Sequence, residues 1–185
     1  MILPIYIYNH PVLREKCNDV SKNYQDLDVL VKNMYDTMYN ANGVGLAAPQ
    51  VGLSLNLFII DMSPFKTDYP DLITTKKVFI NPIIEAESGK EWDFNEGCLS
   101  IPEIREDVSR KNKINIKYYD QKFKPHKEII DGIESRVIQH EYDHLKGKLF
   151  IDYLSGQRKN IINRKINNII KGKFEKIYPI KLFKK

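Results

Sequence analysis

The stretch QHEYDHLKG, residues 139–147, decides the fold, and it contains the pattern H-E-x-x-H. His140 and His144 are four residues apart, a spacing that places both imidazoles on one face of a helix, where they can share one metal ion. Glu141 follows the first histidine and would project beside that ion, where it could take a proton from water. The stretch therefore predicts a metal-binding helix at the centre of the protein.

The residues around this stretch predict the limits of the helix. Asp131 is the expected N-cap, and Glu134, three residues later, is its expected capping-box partner. Ile133 and Val137 belong to an apolar pattern with helical spacing. The helix is expected to end before Gly147.

A catalytic site of the zinc type has three protein ligands, so the third ligand separates classes of enzyme. Metzincins extend the motif to a third histidine, but Phe150 stands at that position, which excludes that class. A thermolysin-like site uses a later acid, and the acids that follow are Asp152 and Glu175. Cys98, in the glycine-flanked segment E-G-C-L-S, could instead supply a soft thiolate. From the residues alone, these alternatives stay open.

The rest of the chain predicts an α+β protein. A first helix is expected behind Asp26, where apolar residues recur at helical spacing up to residues 40–43. Another is expected from Arg158 onward, with isoleucines including Ile161 on its packed side. Strands are expected at residues 55–61, 77–81 and 114–120, with a polar connection at 62–76. We expect antiparallel or mixed β-sheets around the central metal-binding helix, with one N-terminal and one C-terminal helix. The alternative is a doubly wound sheet, but no glycine-rich phosphate loop supports it.

Length and charge indicate one domain with a basic end. The chain has 185 residues, and residues 157–185 hold ten Lys and Arg against one Glu. We expect a catalytic domain at 1–156 and a basic helical extension of it at 157–185. No apolar run is long enough for a membrane helix, and the start lacks the features of a signal peptide. With two cysteines and no secretory signal, a cytoplasmic protein without disulfides is expected.

Three segments together resemble the signature motifs of peptide deformylases: G-V-G-L-A-A-P-Q at 43–50, E-G-C-L-S at 96–100, and H-E-Y-D-H at 140–144. Their order and spacing also agree with that family. The resemblance implies removal of the formyl group from the N-terminal formylmethionine of nascent chains. It further implies one divalent metal ion per chain, with Fe(II) favoured in the cell and Zn, Ni or Co as substitutes.

Carried over to this chain, the resemblance assigns the metal ligands as Cys98, His140 and His144. Glu141 would be the general base and acid for a water molecule that the metal activates. Gln50 and the backbone N–H of Leu99 would stabilise the oxyanion. The candidate substrate-binding residues are Gly43, Val44, Gly45, Gly97, Arg105, Ile133 and Val137. Among these, the glycines permit a peptide to pair with the backbone, and Val44, Ile133 and Val137 would form the methionine pocket.

The expected partners are N-formylmethionyl nascent peptides, with no membrane and no specific DNA partner. Contact between the basic C-terminal helix and the ribosome is a separate hypothesis. Two other functions compete with the deformylase interpretation. The first is a zincin-type peptidase, in which Cys98 would be dispensable. The second is a basic RNA-binding or ribosome-binding protein, in which the His and Glu residues hold a structural metal.

Overall fold

A computed structural model of the chain describes residues 1–72 and 76–183. Its helices are α1 (Leu27–Asn40), α2 (Gly132–Leu145) and α3 (Gly156–Ile170). Its strands are β1 (Ile5–Tyr6), β2 (Gly45–Ala47), β3 (Leu57–Asp61), β4 (Lys76–Cys98), β5 (Ile101–Tyr119), β6 (Pro125–Asp131) and β7 (Ile180–Lys181). The architecture is α+β with an antiparallel sheet and three helices in the described ranges, which confirms the predicted fold class.

The main sheet has the strand order β2-β3-β4-β5-β6, and every neighbouring pair is antiparallel. Its longest feature is the β4–β5 hairpin, which pairs from Ile80 and Tyr119 up to Cys98 and Ile101. A second, small sheet pairs β1 with β7 in parallel and so joins the N-terminal and C-terminal segments. The tight turn of the long hairpin places Cys98 at one end of the sheet.

Three apolar clusters hold the helices to the sheet, because each helix buries one apolar stripe. Residues of α2 pack on β3, β4, β5 and β6 in the first cluster: Ile133, Val137, Ile138, Leu145, Phe58, Phe79, Ile114, Ile116 and Ile130. Residues of α3 pack on the hairpin in the second: Ile162, Ile166, Ile169, Ile101, Ile104 and Val108. Residues of α1 pack on β2, β3 and β4 in the third: Leu27, Val31, Met34, Met38, Leu46, Leu57, Ile59 and Ile80.

Two of the three predicted strands are longer than the sequence predicts. The strand expected at 77–81 is the start of β4, and the strand expected at 114–120 is the end of β5. The first half of β5 was missed because its inward positions alternate between apolar residues, such as Val108, and the buried polar residues Glu106 and Arg110. Strand β6 was also missed, and the strand expected at 55–61 begins at Leu57.

The helices agree more closely with the expectations, except at their caps. Within the described residues, the Asp26 and Asp131 side chains make no capping hydrogen bond. The predicted capping box is therefore wrong, and Glu134 Oε1 instead lies 3.0 Å from Lys77 Nζ. α3 begins two residues earlier than expected, because the Ser155 hydroxyl accepts a hydrogen bond from the Arg158 N–H at 3.2 Å.

Two other expectations concern exposed or undescribed parts of the chain. Ile161, predicted on the packed side of α3, is 66% exposed. The connection at 62–76 contains a 3-10 helix, Ser63–Thr67, whereas its residues 73–75 and the tail residues 184–185 lie outside the described residues. In the part of the chain that the structure describes, no helix has the length and apolar character needed to cross a membrane.

We predict that Gly147→Ala destabilises the protein more than Gly132→Ala. Both glycines have positive φ, +68° and +62°, so alanine at either position costs about 1–2 kcal/mol. At Gly147 the added Cβ would also lie 2.6 Å from the Arg14 carbonyl oxygen, whereas nothing lies within 4 Å at Gly132. The free energy of unfolding, measured in urea, should fall by at least about 1 kcal/mol more for Gly147→Ala. Equal losses would contradict the predicted backbone contact.

Candidate metal centre

Three potential metal ligands meet at the turn of the long hairpin. Cys98 ends β4, and His140 and His144 lie one turn apart on the buried side of α2. Their ligand atoms all lie within 4.8 Å of one another, and Cys98 Sγ is 3.3 Å from His144 Nε2. The fold therefore brings together the thiol and the two imidazoles that the sequence predicts as ligands.

A buried carboxylate orients the first histidine. Glu96, two residues before Cys98 on β4, has an oxygen 2.8 Å from His140 Nδ1. It also accepts hydrogen bonds from Arg110 Nε at 2.7 Å and from Arg136 Nη1 at 2.9 Å. Although burial opposes ionisation, hydrogen bonds with His140 and Arg110 hold the pKa of Glu96 well below its usual range. Because Nδ1 is occupied in this way, the other ring nitrogen of His140 is the one available to a metal.

A second acid also fixes this helix. Asp143, within the H-E-x-x-H motif, accepts a hydrogen bond from Arg110 Nη1 at 2.7 Å and another from the Tyr153 hydroxyl at 3.0 Å. Arg110 thus bridges Glu96 and Asp143, and it ties α2 to β5. These contacts give Asp143 a structural role.

Glu141 lies in a space that a glycine creates. A Cβ atom added to Gly45 would come within 2.4 Å of Glu141 Oε1, so a side chain at position 45 would displace the carboxylate. Glu141 is 5% exposed, and its Oε2 has no hydrogen-bond partner among the described residues. Burial raises the pKa of Glu141 to about 7, although the neighbouring His140 opposes the rise. Near neutral pH this carboxylate can both accept and release a proton.

Gln50 is held so that its amide group points at the cysteine. Its Oε1 accepts a hydrogen bond from the Ala47 N–H at 2.8 Å, which fixes the orientation of the amide. Its Nε2 lies 3.5 Å from Cys98 Sγ and 3.3 Å from the Ser100 hydroxyl. The residue is 1% exposed, so this N–H donor is already in place beside the ligand cluster.

A cavity of about 580 Å³ opens beside these groups. Of the predicted site residues, those that line it are Gly43, Val44, Gly45, Gly97, Cys98, Leu99, Arg105, Val137, His140 and Glu141. The structure places Gln50 and His144 in buried positions, both 1% exposed, and Ile133 in the apolar core with Val137.

Sequence analysis did not identify several other residues of this region. Phe65, Phe94, Ile177 and Tyr178 also line the cavity, and Arg136 pairs with Glu96. Arg136 precedes His140 by four residues, so helical spacing could have placed it beside the site. Phe65 lies in a connection interpreted as polar, and Ile177 and Tyr178 lie in a tail that the sequence marks only as basic.

The donor set fits a divalent metal ion. One thiolate and two imidazoles are ligands that Zn, Fe(II), Co and Ni all accept. Burial lowers the pKa of His144 well below its usual range, and the adjacent His140 adds to the effect, so the His144 imidazole is neutral, as a metal ligand must be. The unpaired Glu141 Oε2 beside the cluster is a further buried polar atom that a ligand would satisfy.

Comparison with known proteins gives consistent matches along the chain. A sequence model of the polypeptide deformylase family matches residues 2–160. A peptide deformylase of Christiangramia forsetii is 52% identical over 188 residues, covering 98% of this chain and 96% of that protein. A peptide deformylase of Flavobacterium psychrophilum is 50% identical over 192 residues, covering 100% and 99%. The crystal structure of a peptide deformylase from Legionella pneumophila has a TM-score of 0.81 at 38% identity and covers 91% of this chain and 95% of that one.

We predict that Cys98→Ser strongly weakens metal binding, whereas Cys17→Ser does not. Both residues are free cysteines, but Cys17 belongs to the first apolar cluster. Loss of the thiolate should weaken Zn(II) affinity by more than about 100-fold, since even loss of a group behind a ligand costs 10- to 100-fold. Competition with a chromophoric chelator measures this affinity. Wild-type affinity in Cys98→Ser would show that the thiol is not a ligand.

Proposed function

The chain belongs to the polypeptide deformylase family and is an enzyme, and we propose that it removes the formyl group from the N-terminal formylmethionine of newly synthesised polypeptides. The observation that carries the proposal is the meeting of Cys98, His140 and His144 beside the buried Glu141 in one cavity. These residues occupy the motif positions that the family resemblance assigns to metal ligands and to the general base. The products would be formate and a free amino terminus.

Cys98, His140 and His144 would hold the metal ion, and Glu141 would carry the proton. A bound divalent metal supplies Lewis acidity, which activates water and polarises the formyl carbonyl. Glu141 takes the proton that the attacking water loses and delivers it to the nitrogen of the departing amine. A pKa near 7 suits both transfers, because the carboxylate is a base before the attack and an acid after it.

Charge that develops on the formyl oxygen would be stabilised by donors that are already oriented. The Gln50 amide is fixed through its contact with the Ala47 N–H, and the backbone N–H of Leu99 belongs to the turn that follows Cys98. Such donors stabilise the transition state strongly because they do not have to reorient when the charge develops. Both residues are therefore assigned to the oxyanion site.

The substrate backbone would pair with the edge of the main sheet. Strand β2 is an edge strand of that sheet, and Gly43 and Gly45 line the cavity next to it. An extended peptide added there is recognised through its main chain, which suits an enzyme that acts on many nascent chains. Gly97 and Arg105 would border this path from the hairpin side.

The methionine side chain would enter the apolar part of the same cavity. Val44 and Val137 line it together with Phe65 and Phe94, and Ile133 supports Val137 from the core. An unbranched thioether adapts to such an irregular apolar surface. The pocket is thus assigned to the first residue of the substrate.

For the metal, we propose Fe(II) in the cell, with Zn, Ni or Co as substitutes in vitro. The donor set accepts all four, and the family resemblance favours iron. A thiolate ligand such as Cys98 is open to oxidation. Anaerobic purification should therefore preserve the activity of the iron form.

We predict that Glu141→Gln releases formate at least about 10³-fold more slowly than wild type, because the amide keeps the shape but cannot carry the proton. Anaerobically purified protein is assayed for formate with formyl-Met amide, and with the N-acetyl analogue as control. Metal content is measured in both proteins, so that loss of the metal is distinguished from loss of the base.

The competing peptidase function makes the opposite prediction in the same assay. A zincin-type peptidase would cleave internal peptide bonds and leave the formyl group in place. Cleavage of an unformylated peptide by metal-replete enzyme, without formate from the formyl peptide, would replace the deformylase proposal.

We also propose that the basic extension at 157–185 contacts the ribosome. The buried face of α3 packs on the body, which leaves Lys159, Arg164 and Lys165 exposed. Basic groups on one exposed helix attract a phosphate backbone. This supports treating 157–185 as an extension of the catalytic domain at 1–156, with its own binding surface.

We predict that Lys159→Glu/Arg164→Glu/Lys165→Glu lowers co-sedimentation with ribosomes by about 10-fold or more at low salt. A matched control reverses three exposed lysines elsewhere, Lys22, Lys122 and Lys124, and so changes the net charge equally. Substitution is preferable to truncation, because Glu175, Ile177 and Tyr178 line the cavity. Equal behaviour of the two triple variants would exclude a specific role for α3.

A further inference from the structure

The segment after α3 returns to the active-site cavity. Glu175, Ile177 and Tyr178 line that cavity together with the ligands Cys98 and His140. The match to the family's sequence model ends at residue 160, so this wall is built from a part of the chain outside that match. Sequence motifs of the family therefore do not describe the whole cavity.

Several contacts fix this segment in place. Its last part, β7, pairs with β1, and the Ile5 N–H donates to the Pro179 carbonyl oxygen at 2.9 Å. Closer to the cavity, the Glu175 N–H donates to a Glu103 carboxylate oxygen at 2.9 Å. The Tyr178 side chain is partly buried against the second apolar cluster. These contacts hold the wall in one arrangement before any substrate arrives.

One contact joins the segment directly to the catalytic turn. The Tyr178 hydroxyl donates a hydrogen bond to the Leu99 carbonyl oxygen at 2.8 Å. Leu99 follows Cys98, and its N–H is assigned to the oxyanion site. Tyr178 therefore anchors the segment that carries Ile177 to the turn that follows Cys98.

Ile177 presents an apolar side chain that the folded protein leaves uncovered. It is 63% exposed, although it lines a cavity whose other walls hold the catalytic groups. Exposed isoleucines are ordinary on protein surfaces, and Ile161 on α3 is 66% exposed without lining the cavity. Ile177 differs from Ile161 in its position in the cavity wall, and not in its exposure.

We propose that Ile177 is a specificity-determining residue, which contacts an apolar side chain of the substrate beyond its formylmethionine. This rests on the proposed deformylase function. The formyl group must reach the ligand atoms and the methionine fills the pocket, so the following residues must leave along the cavity walls. An extended peptide advances about 3.3 Å per residue, so the residues after the methionine come within reach of the cavity wall that Ile177 and Tyr178 form.

The test compares a short and a long substrate in matched variants. The variants are Ile177→Ser, Ile177→Leu and, as a control with equal exposure, Ile161→Ser. Formate release is measured with metal-replete enzyme on formyl-Met amide and on formyl-Met-Leu-Leu amide. Because both isoleucines are exposed, neither serine variant is expected to disturb folding, and thermal unfolding verifies this.

We expect Ile177→Ser to lower kcat/KM for formyl-Met-Leu-Leu amide by about 5- to 20-fold, as loss of one apolar contact does. Its kcat/KM for formyl-Met amide should stay within about 2-fold of wild type. Ile177→Leu should retain the preference for the long substrate, and Ile161→Ser should leave both values unchanged.

Equal effects of Ile177→Ser on both substrates, or an effect on neither, would overturn this role of Ile177 while leaving the deformylase function intact. The same loss in Ile161→Ser would overturn it as well. Absence of formate from both substrates with wild-type enzyme would instead overturn the proposed function, and this inference with it.

Discussion

The buried carboxylate of Glu96 is the group on which the rest of the structure depends. It joins β4 to β5 through Arg110, and to α2 through Arg136 and His140. A buried charge is stable only when its partners are complete, and removal of one partner typically costs about 3–5 kcal/mol. The contact that orients His140, a proposed metal ligand, is thus also one of the contacts that hold α2 on the hairpin. Changes to the site's geometry therefore act on the stability of the whole protein.

The space around the Glu141 carboxylate is a second constraint, and the backbone of β2 sets it rather than a side chain. Strand β2 approaches α2 so closely that residue 45 must lack a Cβ atom for Glu141 to occupy its position. The same approach brings Gln50, a few residues later, against Cys98. Strand, helix and hairpin turn each contribute one part of the chemistry, and the close packing of the three elements sets their distances.

The sequence predicts the residues of the metal-binding helix better than it predicts the residues that line the cavity. The H-E-x-x-H helix was predictable because residue type, spacing and apolar periodicity all agree within a few turns. The first half of β5 was not, because the buried Glu106 and Arg110 conceal its alternating pattern, and their partners are distant in sequence. Ile177 and Tyr178 could not be assigned to the cavity, since long-range contacts, among them the pairing of β7 with β1 and the Tyr178–Leu99 hydrogen bond, bring them there. Long-range pairing of this kind leaves no local signal.

The position of the cavity's outer wall along the chain has a consequence for biosynthesis. Translation proceeds from the amino terminus, so all three proposed metal ligands and Glu141 leave the ribosome before residues 175–178 are free to fold. Strand β1 is synthesised first, whereas β7, the strand that pairs with it, is synthesised last. A growing copy of this enzyme could therefore bring Cys98, His140, His144 and Glu141 together while the cavity was still open on one side. The wall proposed to contact the substrate beyond its methionine would form only afterwards.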